Sequence, residues 1–353
     1  MTLLFSIIIY LLPIFLGSSV INGTNTNKNN FYILSCSEMS LFFFIPVLYV
    51  YVLNFSWESS AITSWFGHIL YTSYQSKMLY LIFLFFWLIL YLFLNTTYLS
   101  SSEIYDFFIT KVNFVYWMSL LFFTNSLFTI IFVIEIISTL VFLLITTSIF
   151  STTFFYKNIN FDSKNFFHHN SPYLFLQALL FYFWVSLISS LNLFIFLIFF
   201  YNNFLTLDYF LLENIFNYLI LVNSFKDLYV VGVIWFVIIF SIFLKCGIVP
   251  LFLWKPTFFK GISFSTLIFY IIFIYFFLFL FFINFLNIYF HELFYYYSFV
   301  TVFIITLGLM TLFFILCESF FLKTFLAVSS ILNSLLVFLS LCLPHTVDVL
   351  FFL

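Results

Sequence analysis

The sequence contains no arginine, and its ten cationic side chains are all lysine. Charged residues of either sign fill only 6% of 353 positions, whereas a soluble domain uses about 25% to cover its surface. That shortage excludes a soluble globular fold. The seven glycines form no phosphate loop, dinucleotide fingerprint or nucleophile elbow. The four cysteines, Cys36, Cys246, Cys317 and Cys342, show no CxxC or CxxH spacing and read as small buried hydrophobes rather than ligands or disulfide partners. His68, His168, His169, His291 and His345 stand at no metal-type spacing from an acid or cysteine. A net charge of -2 gives no basis for nucleic-acid binding.

What fills the chain is apolar bulk: 65% hydrophobic residues, with 64 phenylalanines among them. The abundance of Phe, Ile, Tyr, Asn and Lys beside scarce Ala and Gly reads as A/T-rich codon bias, which fits an organelle genome. Phenylalanine is then generic lipid-facing bulk, and an aromatic stripe carries little information.

Cutting at polar or proline-marked breaks predicts ten transmembrane helices: 2–21, 38–55, 78–99, 107–124, 126–150, 172–200, 229–250, 262–286, 294–316 and 322–343. Residues 2–21 lack the basic leader of a signal peptide and are long enough to span a core of about 30 Å. Runs this long without dyad alternation are expected to be helical, because lipid requires each backbone group to be satisfied locally. The fold class is therefore all-α, a polytopic membrane helical bundle. The break at 22–30 reads as a solvated loop, that at 56–77 holds Glu58 and His68, and that at 151–170 holds Lys157, Asp162, Lys164 and the pair His168-His169, which marks a wet loop. Residues 201–227 read as an interfacial amphipathic helix, and the turn at Thr124-Asn125-Ser126 must be tight. Loops after odd-numbered spans hold Lys28, Lys157, Lys164, Lys255 and Lys260, against Lys77 and Lys226 after even-numbered ones, which directs the odd loops to the matrix-like side.

Two ionisable residues lie well inside apolar runs, Glu135 and Lys245. Each costs about 2.5–3.5 kcal/mol at a helix centre, so a chain this apolar is expected to retain them only for use. Two readings stand open. One is a static ion pair that fixes helix packing. The other is a proton relay, because burial disfavours the charged form of each group and brings both into exchange near neutral pH. Gly247 and Pro250 break the helix just after Lys245, and carbonyls freed at membrane depth require protein or a water-filled cavity. Discontinuous helices of this kind build ion sites in transporters.

The stretch Lys245-x-Gly247-x-x-Pro250-x-x-x-Trp254-x-Pro256-x-x-x-x-Gly261 resembles the seventh-helix signature of the antiporter-like subunits of respiratory complex I, F-K-x-G-x-x-P-F-H-x-W-x-P-D-V-Y-x-G, with the ending favouring subunit 2 over the subunit 4 and 5 paralogues. Asn125, Glu135 and Ser138 resemble the family's fifth-helix N-D…E-x-x-S. Lys323-Thr-Phe-Leu-Ala-Val-Ser-Ser-Ile-Leu-Asn333 resembles its tenth-helix K-R-x-L-A-Y-S-S-I-x-H.

The resemblance implies an antiporter-like bundle with a broken seventh helix, in which residues 125–343 form the proton-channel unit after N-terminal helices in 1–124, with a tail at 344–353. It implies that Glu135 and Lys245 translocate protons, that flavin, iron–sulfur clusters and ubiquinone belong to partner subunits, and that the chain sits with other membrane-arm subunits in the mitochondrial inner membrane. None of these cofactors is expected in this chain. The departures are specific. The family's sixth-helix lysine aligns with Phe181, leaving Gln177 as the nearest polar group; its eighth-helix lysine falls on Tyr275; and its P-F-H reads Pro250-Leu251-Phe252. The family's further C-terminal helices, with a second broken helix, are expected from a separate chain or are lost. Lys323 and Glu318 read either as interfacial charges or as part of a polar axis, and Lys255 and Lys260 as headgroup or subunit contacts. A structural subunit that no longer pumps and a stand-alone cation/proton antiporter are the competing readings.

Overall fold

A computed structural model describes residues 62–72, 172–222, 225–263, 291–317 and 321–341, and 110–158 and 266–275 in part. The expected spans at 2–21, 38–55 and 78–99 lie outside these residues, as do the tail 344–353, Glu58, Glu318, Cys36, Cys342, His168, His169 and His345.

The described chain is mostly helical, as its apolar runs require. Helix α1 covers Leu127–Asn158, α2 Pro172–Phe204, α3 Tyr209–Val222, α4 Phe225–Cys246, α5 Trp254–Gly261, α6 His291–Cys317 and α7 Leu322–Leu341. Three stretches are long and apolar enough to cross a membrane: Leu127–Thr147, Tyr173–Phe204 and Tyr229–Cys246. The protein is membrane-embedded. Helix α1 continues to Asn158, through the first half of the loop expected at 151–170, because nothing between Ser151 and Asn158 breaks a helix. Residues 201–227 divide between the end of α2, the short α3 and the start of α4.

The described residues also depart from an all-α fold. Within the break expected at 56–77, strands β1 (Ile62–Ser64) and β2 (Ile69–Tyr71) pair antiparallel, Thr63 opposite Leu70. Ile62, Thr63, Ile69 and Tyr71 are good strand formers, and Trp65, Phe66 and Gly67 turn the chain with positive φ. The side chain of Asn125 donates to Gly67 O at 3.0 Å, which explains why the Thr124–Ser126 turn must be tight. Ser126 then caps α1, its Oγ accepting from Thr129 N.

Helix α2 is the centre of the described bundle and packs against α1, α4 and α5. Its two faces divide by burial. Ala178, Tyr182, Ser189, Leu193, Phe196 and Phe200 are buried, while Leu180, Trp184, Ile188, Leu191, Ile195 and Ile198 are exposed. The exposed set recurs every three to four residues and the buried set every three, four or seven, so one face meets protein and the other is the surface that lipid solvates. Helix α5 lies across α2 and α7. A methyl group on Gly261, at its end, would overlap Leu174 O and the Ala178 side chain, so only glycine lets these backbones approach.

Candidate functional site

The helix break expected at Gly247 and Pro250 is present. Helix α4 ends at Cys246 and α5 begins at Trp254. Gly247 has a φ of 62°, the left-handed conformation that favours glycine. Ile248 N donates to Phe243 O at 2.9 Å and Gly247 N to Leu244 O at 3.3 Å. This is the Schellman arrangement, which satisfies two terminal carbonyls of α4 and leaves those of Lys245 and Cys246 for other donors.

Immediately before this end, Lys245 Nζ donates to Glu135 Oε1 of α1 at 2.5 Å. The lysine side chain is 5% exposed and the carboxylate 21%. The two residues stand 110 positions apart in the chain, so the pair exists only through tertiary packing. Ser138, one turn along α1, donates to Glu135 O at 2.7 Å and approaches Oε2 at 3.4 Å. Tyr182 of α2 donates to Ser138 O at 3.1 Å, tying the acid-bearing helix to the centre of the bundle.

The other expected site residues are spread more widely. Lys323 of α7 donates to Ile262 O at 2.8 Å and reaches Lys260 O at 3.4 Å. It closes the carboxyl end of α5, where a cation complements the helix dipole. Tyr275 donates its phenol to Ser330 O at 3.2 Å and so serves the packing against α7. Gln177 is half-buried on α2 and does not meet the Glu135–Lys245 pair. Phe181, where the resemblance places a lysine, is 40% exposed; its neighbour Tyr182 holds the inward position.

Two expectations are corrected. Lys255 is fully buried and is therefore not a headgroup or subunit contact. It lies beneath the break, with Nζ donating to Cys246 O at 3.2 Å, because α5 folds back against α2 and α7. Cys317, expected as a buried hydrophobe, is exposed at the end of α6. His68, in the break at 56–77, meets the amino end of α1, with Nδ1 3.0 Å from Ser126 Oγ and 3.8 Å from Asp208 Oδ1.

Sequence reasoning also passed over Lys111. It is fully buried, with Nζ 4.7 Å from the centroid of the Phe269 ring, a cation–π distance. Its signal was its place within the run 107–124.

Among the described residues no three His, Cys, Asp or Glu side chains are grouped as a metal ion would need. What the arrangement can do is hold and exchange protons. It pairs one partly buried acid with one buried base at the end of an interrupted helix, with a second lysine beneath that end. No protein-family model matches the chain, and no curated protein matches it.

Proposed function

We propose that this chain is a membrane-arm subunit of proton-pumping NADH:ubiquinone oxidoreductase, of the subunit 2 type, in the mitochondrial inner membrane. In this reading it is an antiporter-like bundle of about ten helices with a broken seventh, and it moves protons through Glu135 and Lys245. Partner subunits hold flavin, iron–sulfur clusters and ubiquinone and carry the electrons. The observation that supports the reading is the direct bond between Lys245 and Glu135. Two separate stretches, 110 residues apart, each resemble a proton-channel motif, and their ionisable residues meet at the helix break.

The geometry suits a two-group relay. A proton added to the Glu135 carboxylate removes the counter-charge of the Lys245 ammonium. The ammonium, desolvated and no longer paired, releases its own proton onward and becomes a neutral amine. Transfer of the glutamic acid proton to that amine restores the pair, so one proton has moved through the site. Ser138 keeps the carboxylate in place while its charge changes.

The test is Glu135→Gln and Lys245→Ala in the assembled complex, measuring NADH-driven proton uptake into vesicles and quinone-linked NADH oxidation. Loss of both activities in a complex of normal composition is expected. Normal pumping by both variants would overturn the relay. The competing reading, a subunit that no longer pumps, draws on Phe181 and on Tyr275, whose phenol is engaged by Ser330 O; it predicts full activity for both variants. Purification of the chain without redox subunits would instead favour a stand-alone cation/proton antiporter.

A further inference from the structure

We propose that Lys255 is a second proton-carrying residue of this site, in series with Lys245 across the carboxyl end of α4. The inference rests on the reading of Glu135 and Lys245 as a relay.

Lys255 is fully buried, yet no carboxylate among the described residues lies within ion-pair reach of it. Its Nζ donates to Cys246 O, the carbonyl of the residue that follows Lys245. Around this helix end stand Tyr182 and Tyr270, whose rings pack on Trp254 and Phe258 of α5, Lys323, which bonds Lys260 O of the same helix, and Lys245, bonded to Glu135. Glu135 is the one acid among them, opposite more than one buried lysine. An uncompensated buried ammonium is costly. A single proton shared between Lys245 and Lys255 avoids that cost, whereas permanent charge on both does not.

The fold makes a slot for this side chain. Lys255 Cδ passes 3.0 Å from the point where a Cβ on Gly247 would sit, so the glycine that ends α4 also admits the lysine beneath it. The surroundings also point to water. Tyr270 Oη and Trp254 Nε1 are buried and have no hydrogen-bond partner among the described residues. Trp254 adjoins Lys255 in the chain, and the Tyr270 ring packs 4.8 Å from Phe258 on the same helix. Buried polar groups of this kind are satisfied by bound water, which also conducts protons. In the step proposed, an N–H bond of the Lys245 ammonium breaks as a water accepts that proton. The same water gives up another to the neutral Lys255 amine, and no electron moves.

The experiment compares Lys255→Gln with Lys255→Met in the assembled complex in vesicles, beside Glu135→Gln and Lys245→Ala. Glutamine retains a donor for Cys246 O but carries no exchangeable charge. Loss of NADH-driven pumping by roughly tenfold or more in the glutamine variant is expected, on the scale of removing one group from a proton-transfer step. If Glu135→Gln and Lys245→Ala abolish pumping while Lys255→Gln pumps normally, Lys255 is only a cap and the inference falls. If those two variants pump normally, the underlying relay reading fails instead. Should Lys255→Gln not assemble, Lys255→His decides. A pumping rate whose pH profile moves to lower pH with imidazole in place of the amine supports the proposal, and an unmoved profile overturns it.

Discussion

Helix α1 carries two polar clusters, one at its amino end and one nine residues farther along, about 13 Å at 1.5 Å per residue. At the end, His68, Ser126 and Asp208 meet at 3.0 and 3.8 Å, with the His68 and Asp208 side chains 40% and 49% exposed. Farther in, Glu135 and Lys245 meet at 2.5 Å with little exposure. Both clusters join elements distant in sequence. Water supplements the outer cluster and screens its charges, so losing one member leaves the others solvated. The inner pair has no such alternative, and each partner is what makes the other tolerable.

The largest effect should come from breaking the inner pair on one side only. Lys245→Ala strands the Glu135 carboxylate and is expected to destabilise the purified protein by about 3–5 kcal/mol, read by thermal unfolding in detergent. Replacing both with leucine, Glu135→Leu with Lys245→Leu, should recover most of that stability, because apolar packing substitutes well for a buried ion pair. A double variant as unstable as Lys245→Ala would show that the pair is not the source of the cost.

Gly247→Ala comes next. It forces a left-handed conformation on a residue with a side chain, at about 1–2 kcal/mol, and brings a methyl against Lys255 Cδ and the Trp254 ring. A fall in thermal stability with a disturbed Trp254 fluorescence is expected. Tyr182→Phe should cost about 1 kcal/mol by removing the donor to Ser138 O. The smallest change belongs to the outer cluster. Asp208→Asn is expected to shift stability by about 0.2–1 kcal/mol, and that difference should vanish in 1 M salt, where charges are screened beyond about 3 Å. The effect of Lys245→Ala should persist there, and equal salt sensitivity at both clusters would erase the contrast between them.

Much of the inner site was legible in the residues. Lys245 followed by Gly247 and Pro250 marked a charge beside a break, since lipid tolerates neither without a structural answer. The burial of Lys255 was not legible. Its neighbours predicted a headgroup contact, and only the return of α5 against α2 and α7 encloses it. The strand pair at 62–71 was hidden for a similar reason. Three-residue strands carry too little periodicity to stand out beside long apolar runs, and their anchor, Asn125, lies 58 residues from Gly67 in the chain.

By itself, then, the sequence determined a helical, membrane-embedded protein with an interrupted helix and costly charges inside it. Composition and local backbone chemistry decide those features within one turn or one span. Tertiary structure alone decided that Glu135 bonds Lys245, that Tyr182 rather than Phe181 faces inward, and that Lys255 sits beneath the break. Each depends on which helix faces come together, and that is set by the packing of distant segments rather than by any local pattern.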